Sequence, residues 1–258
     1  DLTEFKKLQY ELEEARHEAE NARDAEKDFL ANMSHEVRNP INTIVGMTYL
    51  LLDTELTAEQ RRYLQNIKYT SDILLALVSD ILDITKITQG KMELELRELN
   101  LGELINVNAQ AMAFRIKEKG IHFDIYVDRL LNTRVMGDST FLNQILLNIL
   151  GNAAKFTEKG SISIHAQCLN KTQDTLRAKI IITDTGIGIA EDKLPLIFER
   201  FNQAGKATKH KYGGTGLGLN IAKKLVELHN AELKVQSTEG KGTVFSFEID
   251  FNLVHRSE

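Results

Sequence analysis

Apolar and polar residues follow a helical period along the first third of the chain. In the N-terminal segment, apolar or small side chains recur at alternating steps of three and four residues, which is the seam pattern of a coiled coil. The seam positions are Phe5, Leu8, Leu12, Ala15, Ala19, Ala22, Phe29 and Met33. Glu26 interrupts the series and the alanines bury little area, so the pattern predicts a weak coiled coil that leads in over residues 1–28.

Two long helices joined by a short turn are predicted next, over residues 29–90. The helical pattern continues to about Leu52, and residues 53–57 indicate a turn in which Thr57 is suited to be an N-cap. The apolar positions of the second helix, which should end near Gln89, are Leu64, Ile67, Leu74, Leu77, Val78, Ile81 and Ile84. Each helix has one apolar stripe and no third element covers it, which favours a homodimer with a four-helix bundle.

The period changes at Gly90-Lys91, and residues 91–97 are predicted to form a linker and a first strand, because apolar and charged residues alternate there. A second domain is expected over residues 98–252, followed by a tail at 253–258. Its strands are predicted near 121–128, 161–169, 176–183, 232–237 and 242–251, and its helices near 101–119, 138–156 and 216–230. Strands interleaved with helices favour a two-layer α/β sandwich.

Composition narrows the class of protein. A hydrophobic content of 42% supports a real core, and a net charge of −5 argues against a nucleic-acid partner. The single cysteine, Cys168, rules out an internal disulfide and fits a reducing compartment. No run approaches about 18 apolar residues and no signal peptide is visible, so we expect a cytoplasmic fragment without membrane contact. The chain opens in mid-helix, so we expect an upstream input region, and with it the option of a membrane anchor in the full-length protein.

His35 has the most suggestive neighbours of any residue in the chain. Met33 lies on the seam, and at about 100° per residue His35 is placed about 200° away, on the outer face of the helix. Asn39 shares that face, and Glu36 supplies an adjacent carboxylate. Pro40 lacks an N–H group and crowds the carbonyl of Glu36, so a bend is expected. A lone histidine in a helix more often has no role, but these neighbours make His35 a candidate nucleophile.

A predicted helix over residues 141–157 supplies the first of three segments that could build a nucleotide pocket. Asn148, Asn152 and Lys155 form one polar stripe on it. Neutral amide oxygens can hold Mg²⁺ beside a triphosphate without adding negative charge. A solvated helix face is the alternative interpretation of the two asparagines.

The other two pocket segments are rich in glycine. Asp184 ends a β-branched strand and precedes Gly186 and Gly188, so a buried carboxylate could accept a hydrogen bond from an exocyclic amine of a base. The run from Lys211 to Leu219 opens a helix, where backbone N–H groups point at an anion. The polar stretch between them suits a lid over phosphates. The alternative for the Asp184 segment is a turn that closes a strand, and the alternative for the polar stretch is an ordinary solvated loop.

Together these residues resemble the sensor histidine kinase family, from about residue 25 onward. The matching motifs, in family order, are the H box Ser34–Pro40, the N box Asn148–Thr157, the glycine box Asp184–Gly188, the F box Ile197–Phe201, the second glycine box Gly214–Gly218 and a last nucleotide turn at Gly240–Thr243. The resemblance implies an all-α antiparallel hairpin, dimeric as a four-helix bundle, followed by a gyrase-like (Bergerat) ATP-binding sandwich. The H box and the residues Phe201-Asn202-Gln203 are similar to those of hybrid kinases.

The resemblance implies ATP and Mg²⁺ as cofactors and assigns roles to individual residues. His35 would be the phosphoacceptor, Glu36 the general base, and Asn39 the residue that supports phosphate removal from a partner. Asn152 would bind Mg²⁺, with Asn148 as a further ligand or orienting group. The other nucleotide-binding residues would be Lys155 at phosphate, Phe156 against the adenine, Asp184 at its amine, and Gly186, Gly188, Lys211, Gly214, Thr215, Gly216, Leu217, Gly218, Leu219 and Thr243.

The implied reaction is autophosphorylation of His35, followed by transfer to an aspartate of a response-regulator receiver domain, separate or fused downstream. Phosphatase activity toward that regulator stays open. Two other interpretations also stay open: a gyrase-like ATPase that clamps a partner, in which His35 has no role, and a degenerate kinase that serves as a binding platform. The sequence leaves the stimulus, the cognate regulator and the choice between cis and trans transfer undetermined.

Overall fold

The computed structural model describes residues 36–88, 92–199 and 216–254, together with residues 6, 7, 9, 10, 13, 14, 16 and 17. The eight described positions before residue 18 are helical and exposed. All the seam positions of the predicted coiled coil lie outside the described residues, so that coiled coil stays a prediction. The chain divides into two compact units, residues 1–91 and 92–258, which are described separately.

The first unit is the predicted helical hairpin. Helix α1 is described from residue 36, stays helical through Pro40 and ends at residue 52, and helix α2 spans Ala58–Thr88. Thr57 caps α2 as predicted. Its Oγ1 accepts a hydrogen bond from Gln60 N at 3.2 Å, and Gln60 Oε1 accepts one from Thr57 N at 2.9 Å, which is a capping box. Among the described residues, no helix has both the length and the apolar character needed to cross a bilayer.

The hairpin has a buried stripe and an exposed apolar stripe. Ile41 and Thr48 on α1 and Ser71 on α2 are buried. The exposed apolar stripe consists of Ile44, Met47 and Leu51 on α1 and Tyr63, Ile67, Leu74 and Ile81 on α2. Three members of this stripe on α2 recur every seven residues, which keeps them on one helix face. The hairpin therefore leaves these seven apolar side chains exposed in the single chain.

The second unit is a seven-stranded sheet, within the described residues, with helices packed on it. Its elements in chain order are β1 Arg97–Asn100, α3 Leu101–Glu118, β2 His122–Val127, β3 Arg134–Gly137, α4 Ser139–Phe156, β4 Ser161–Lys171, β5 Thr175–Asp184, α5 Gly218–Leu228, β6 Lys234–Thr238 and β7 Gly242–Leu253. Short 3₁₀ helices cover Arg129–Leu131 and Glu191–Phe198.

Strand β7 is the centre of the sheet. The strand order is β1-β3-β7-β5-β4-β2, and β6 also pairs with β7. Strand β5 pairs with β7 from Asp184↔Thr243 to Thr175↔Asn252, while β6 and β3 share the other edge of β7. The pair β2–β4 is parallel and the other pairs are antiparallel. This register places the end of β5 beside the start of β7.

The core lies between the sheet and its helices. Along β4, β5 and β7, alternate residues are buried, as expected of strands with one covered face. The buried side chains of the sheet include Ile162, Ile164, Ile180, Ile182, Phe245, Phe247 and Ile249. Those of the helices include Ile105, Ile116, Leu142, Ile145, Ile149, Ile221 and Leu225.

The first strand of this unit lies later in the chain than predicted. Residues 92–96 have no strand pairing, and β1 begins at Arg97. Met92 and Leu94 are nevertheless less exposed than Glu93 and Glu95, so the alternation reflects burial and not a ladder. The reason is the partner strand β3, which pairs Arg97 with Gly137 and ends there because the chain enters α4.

Candidate nucleotide-binding site

A buried carboxylate marks the end of strand β5. The Asp184 residue is 8% exposed, and its Oδ1 accepts a hydrogen bond from Gly186 N at 2.8 Å. Burial raises the pKa of the Asp184 carboxyl, whereas hydrogen bonds from the backbone of Gly186 and Thr243 oppose that rise. A carboxylate can accept about four hydrogen bonds, so capacity for a further donor remains.

Gly186 lies where a side chain would not fit. A Cβ atom there would be 2.5 Å from Phe156 O and 2.8 Å from Asp184 Oδ1. Ile187 N donates to Phe156 O at 3.2 Å, which ties the glycine-containing loop to the last residue of α4. Phe156 and Asp184, which are distant in sequence, therefore both lie beside Gly186.

Gly188 and Gly242 permit two further close approaches. Gly188 has φ +66°, and a Cβ atom there would collide with Thr238 O. Gly242 has φ +115°, and a Cβ atom there would collide with Asp184 O. Gly240 N donates to Ile187 O at 2.8 Å, which closes the β6–β7 turn onto the loop.

Ser237 is a structural residue of this site that sequence reasoning missed. Its Oγ accepts a hydrogen bond from Ile189 N at 2.8 Å, donates to Gly242 O at 2.9 Å and lies 2.9 Å from Thr243 Oγ1. Thr243 itself is 5% exposed. The only signal in the sequence was a Ser-Thr pair before the Gly240 turn, and such pairs are common in turns.

The predicted polar stripe of α4 lies against the start of α5. The Asn148 Nδ2 atom is buried and has no hydrogen-bond partner among the described residues. A Cβ atom at Gly218 would be 3.1 Å from Asn148 Oδ1, so glycine leaves a narrow space beside that amide. Asn152, one turn later, is half-buried. A buried amide without a partner is unusual in a native structure. A hydrogen-bond acceptor of a ligand would therefore suit this position.

Lys155 and Phe156 close the end of α4. The Lys155 Nζ atom lies 4.6 Å from the centre of the Phe156 ring, within cation–π range, and burial lowers the pKa of the lysine. Both side chains are half-buried. A cation and an aromatic ring at the end of α4 suit a phosphate and a flat base.

Helix α5 begins two residues later than Gly216, where its helix was predicted to start. Gly216 has φ +71°, and the helix begins at Gly218. The Leu217 side chain is fully buried, so only its backbone could contact a ligand, and Leu219 is half-buried.

Several predicted site residues are not placed in this pocket. Lys211, Gly214 and Thr215 lie outside the described residues, as does His35. Glu36 and Asn39 are exposed on α1, in the other unit.

Comparison with protein families finds two matches, in chain order. Residues 25–90 match the His Kinase A (phospho-acceptor) domain. Residues 137–253 match the family described as histidine kinase-, DNA gyrase B- and HSP90-like ATPase. The second match contains the described pocket residues from Asn148 to Thr243.

Individual proteins similar to this chain are sensor kinases. The hybrid signal transduction histidine kinase L of Dictyostelium discoideum is 42% identical over 86% of this chain and 13% of its own length. The autoinducer 2 sensor kinase/phosphatase LuxQ of Vibrio cholerae is 38% identical over 100% of this chain and 30% of its own. The crystal structure of full-length ShkA in complex with AMPPNP has a TM-score of 0.72 and 36% identity, over 88% of this chain and 46% of that one. The chain thus spans less than a third of these two curated relatives.

Gly188→Ala should damage the pocket more than Gly240→Ala. Both glycines have positive φ, but a Cβ atom at Gly240 meets nothing within 4 Å. We expect Gly240→Ala to lower the free energy of unfolding by about 1–2 kcal/mol, the cost of the left-handed backbone alone. Gly188→Ala adds a backbone collision and should also weaken ATP binding. Denaturant unfolding and nucleotide titration check this, and equal losses in the two variants would contradict it.

Asp184→Asn should remove a pH dependence of stability. Because the pKa of Asp184 is raised in the folded chain, the folded state binds more protons than the unfolded state above the ordinary carboxyl pKa. The free energy of unfolding should therefore fall as pH rises through that window. The variant should lose this slope and be more stable at neutral pH. The measurement is the unfolding free energy between about pH 4 and pH 7. The control is Asp192→Asn at an exposed position, which should keep the slope.

Proposed function

Because this chain belongs to the histidine kinase family, we propose that it is a catalytic core that phosphorylates its own His35 from Mg-ATP. One observation carries the proposal. In an ATPase-type domain, helix α4 ends beside a buried carboxylate and carries an unpartnered amide beside the start of α5, in the same chain as a phosphoacceptor motif. The pocket supplies the phosphate donor and the motif supplies the nucleophile.

The proposed transfer is a direct displacement at phosphorus. A ring nitrogen of His35 attacks the γ-phosphorus of ATP and forms an N–P bond, while the bond to the β–γ bridging oxygen breaks. ADP leaves with that electron pair, and the ring proton passes to Glu36 as general base. Such proton transfer contributes about 10²–10⁴-fold to a rate, and positioning supplies much of the remainder. Glu36 is exposed on α1, so it is open to solvent for this exchange.

Different pocket residues would bind different parts of the nucleotide. Asp184 would accept a hydrogen bond from the adenine amine, and Phe156 would lie against the base. Lys155 and the start of α5 would hold phosphate oxygens. The residues that would close around the base and sugar are Gly186, Gly188 and Thr243. Those that would lie toward the phosphates are Lys211, Gly214, Thr215, Gly216, Leu217, Gly218 and Leu219.

Asn152 would be the Mg²⁺ ligand, with Asn148 as a further ligand or as the group that orients it. The unpartnered atom is the donor Asn148 Nδ2, which supports the orienting role, toward a phosphate oxygen or a metal-bound water. A ligand role would use Asn148 Oδ1. When bound, Mg²⁺ would neutralise charge on the β- and γ-phosphates.

The partners proposed for this core are a second copy and a receiver domain. The exposed apolar stripe of the hairpin suits a homodimeric four-helix bundle. The phosphate of His35 would pass to an aspartate of a receiver domain, separate or fused, as expected for a chain similar to a hybrid kinase. Asn39 would support the reverse, phosphatase role, and one similar protein is named a kinase/phosphatase. We place this core in the cytoplasm, where ATP is available.

His35→Gln should abolish acid-labile labelling from γ-labelled ATP and Mg²⁺. A phosphorylated imidazole is acid-labile, and only the acceptor is removed, so nucleotide affinity should be unchanged. The matched control is His17→Gln at an exposed helical position, which should label normally. ATP turnover that persists unchanged in His35→Gln, without labelling in the parent chain, would instead favour a gyrase-like ATPase.

Charge placed in the exposed stripe should dissociate the dimer. Ile67 and Leu74 are 45% and 43% exposed in the single chain, and burying the remaining area of each in a dimer is worth about 1 kcal/mol. The double variant Ile67→Glu, Leu74→Glu should therefore sediment as a monomer that still binds ATP. Gln65→Glu, on an exposed polar position of the same helix, should remain dimeric. A dimeric double variant would contradict the assignment of this face.

A further inference from the structure

Asp138 is a buried carboxylate outside the nucleotide pocket that makes two separate contacts. The residue is 4% exposed. Its Oδ1 accepts a hydrogen bond from Phe141 N at 3.0 Å, which caps helix α4. Its Oδ2 accepts one from Glu95 N, also at 3.0 Å, from a residue 43 positions earlier. A helix cap requires only one side-chain oxygen, so the second contact has to be explained separately.

The second contact joins two functionally different parts of the unit. Glu95 lies in residues 92–96, which lead into β1 and have no strand pairing. Helix α4 carries Asn148, Asn152 and Lys155. One side chain therefore holds both the entry segment of this unit and the first turn of the helix that presents the phosphate-binding residues.

The chemistry of the contact favours a stable connection. Both donors are backbone N–H groups, so they are fixed to the chain without side-chain freedom. Hydrogen bonds to an ionised acceptor are about twice as strong as neutral ones. The positive end of the α4 dipole further favours a carboxylate at this position.

We propose that Asp138 is a positioning residue for the phosphoryl transfer, and this proposal rests on the proposed function. By holding Glu95, it sets how much free chain separates the hairpin from the nucleotide-binding unit and in which direction that chain enters. Loss of the contact frees residues 92–95, which lengthens the tether and lowers the effective concentration of nucleotide at His35. It also removes an orientational constraint on a reaction that depends on positioning.

Two variants break the contact from opposite sides. Asp138→Asn keeps an oxygen for the cap, since asparagine is an equally good N-cap, but turns an amide NH₂ toward Glu95 N. Glu95→Pro removes the donor and leaves the cap untouched. Asn100→Ala is the matched control, because it removes the cap of α3, where Asn100 Oδ1 accepts from Glu103 N at 3.1 Å, without touching Glu95.

The test uses the full chain and measures three quantities: amide exchange at Glu95, nucleotide affinity at equilibrium, and the rate of His35 labelling at saturating ATP. We expect Asp138→Asn to speed exchange at Glu95. Both variants should slow labelling about tenfold with nucleotide affinity changed less than about twofold. The double variant should be no slower than either single variant. Asn100→Ala should lower thermal stability and leave the rate unchanged.

Three outcomes would overturn the proposal. An unchanged rate in Asp138→Asn, with exchange at Glu95 accelerated, would show that the contact does not position the transfer. A parallel loss of nucleotide affinity would make Asp138 a structural support of the pocket instead. Absence of His35 labelling in the parent chain would overturn the proposed function, and this proposal with it, and is distinguished from the other two by that parent measurement.

Discussion

The convergence of three backbone segments on the Asp184 carboxylate is the constraint on which the nucleotide-binding unit depends. The end of β5, the loop at Gly186–Gly188 and the β6–β7 turn approach one another more closely than side chains would allow. Burying a carboxylate is costly, and the backbone N–H groups around it offset only part of that cost. The long β5–β7 ladder holds the segments together, so the stability of the sheet maintains the close approach of the three segments.

The helices supply the remaining residues of the site. Helix α4 brings its amides and its final Phe156 to the same end of the sheet, and Gly218 lets α5 begin directly beside Asn148. The cap at Asp138 anchors the other end of α4 to the entry segment. The hairpin is built differently: its two helices leave apolar side chains exposed, and we propose that a second chain packs there. The division of the chain into two units therefore matches a division between nucleotide binding and phosphate acceptance.

Local signals predicted most of the elements and part of the site. The N-cap at Thr57 and the helix over 138–156 follow from short-range patterns, and both are found. Strand β3 was missed because four residues are too few to show a period, and β1 was misplaced because its limits are set by β3. The glycines near Asp184 were expected to let the backbone approach a flat base, whereas the structure shows them beside Phe156 and Thr238, neighbours that come only from the tertiary fold. The part played by Ser237 is set in the same way, by contacts distant in sequence.

The most direct test of the Asp184 assignment is the comparison of ATP with ITP binding. Inosine lacks the exocyclic amine from which the Asp184 carboxylate is expected to accept a hydrogen bond. A site built around a buried acceptor rejects a ligand that leaves the acceptor unpaired, so ITP should bind at least about tenfold more weakly than ATP. The difference should shrink in Asp184→Asn, whose amide can donate as well as accept. Equal affinities for ATP and ITP in the unaltered chain would contradict the account.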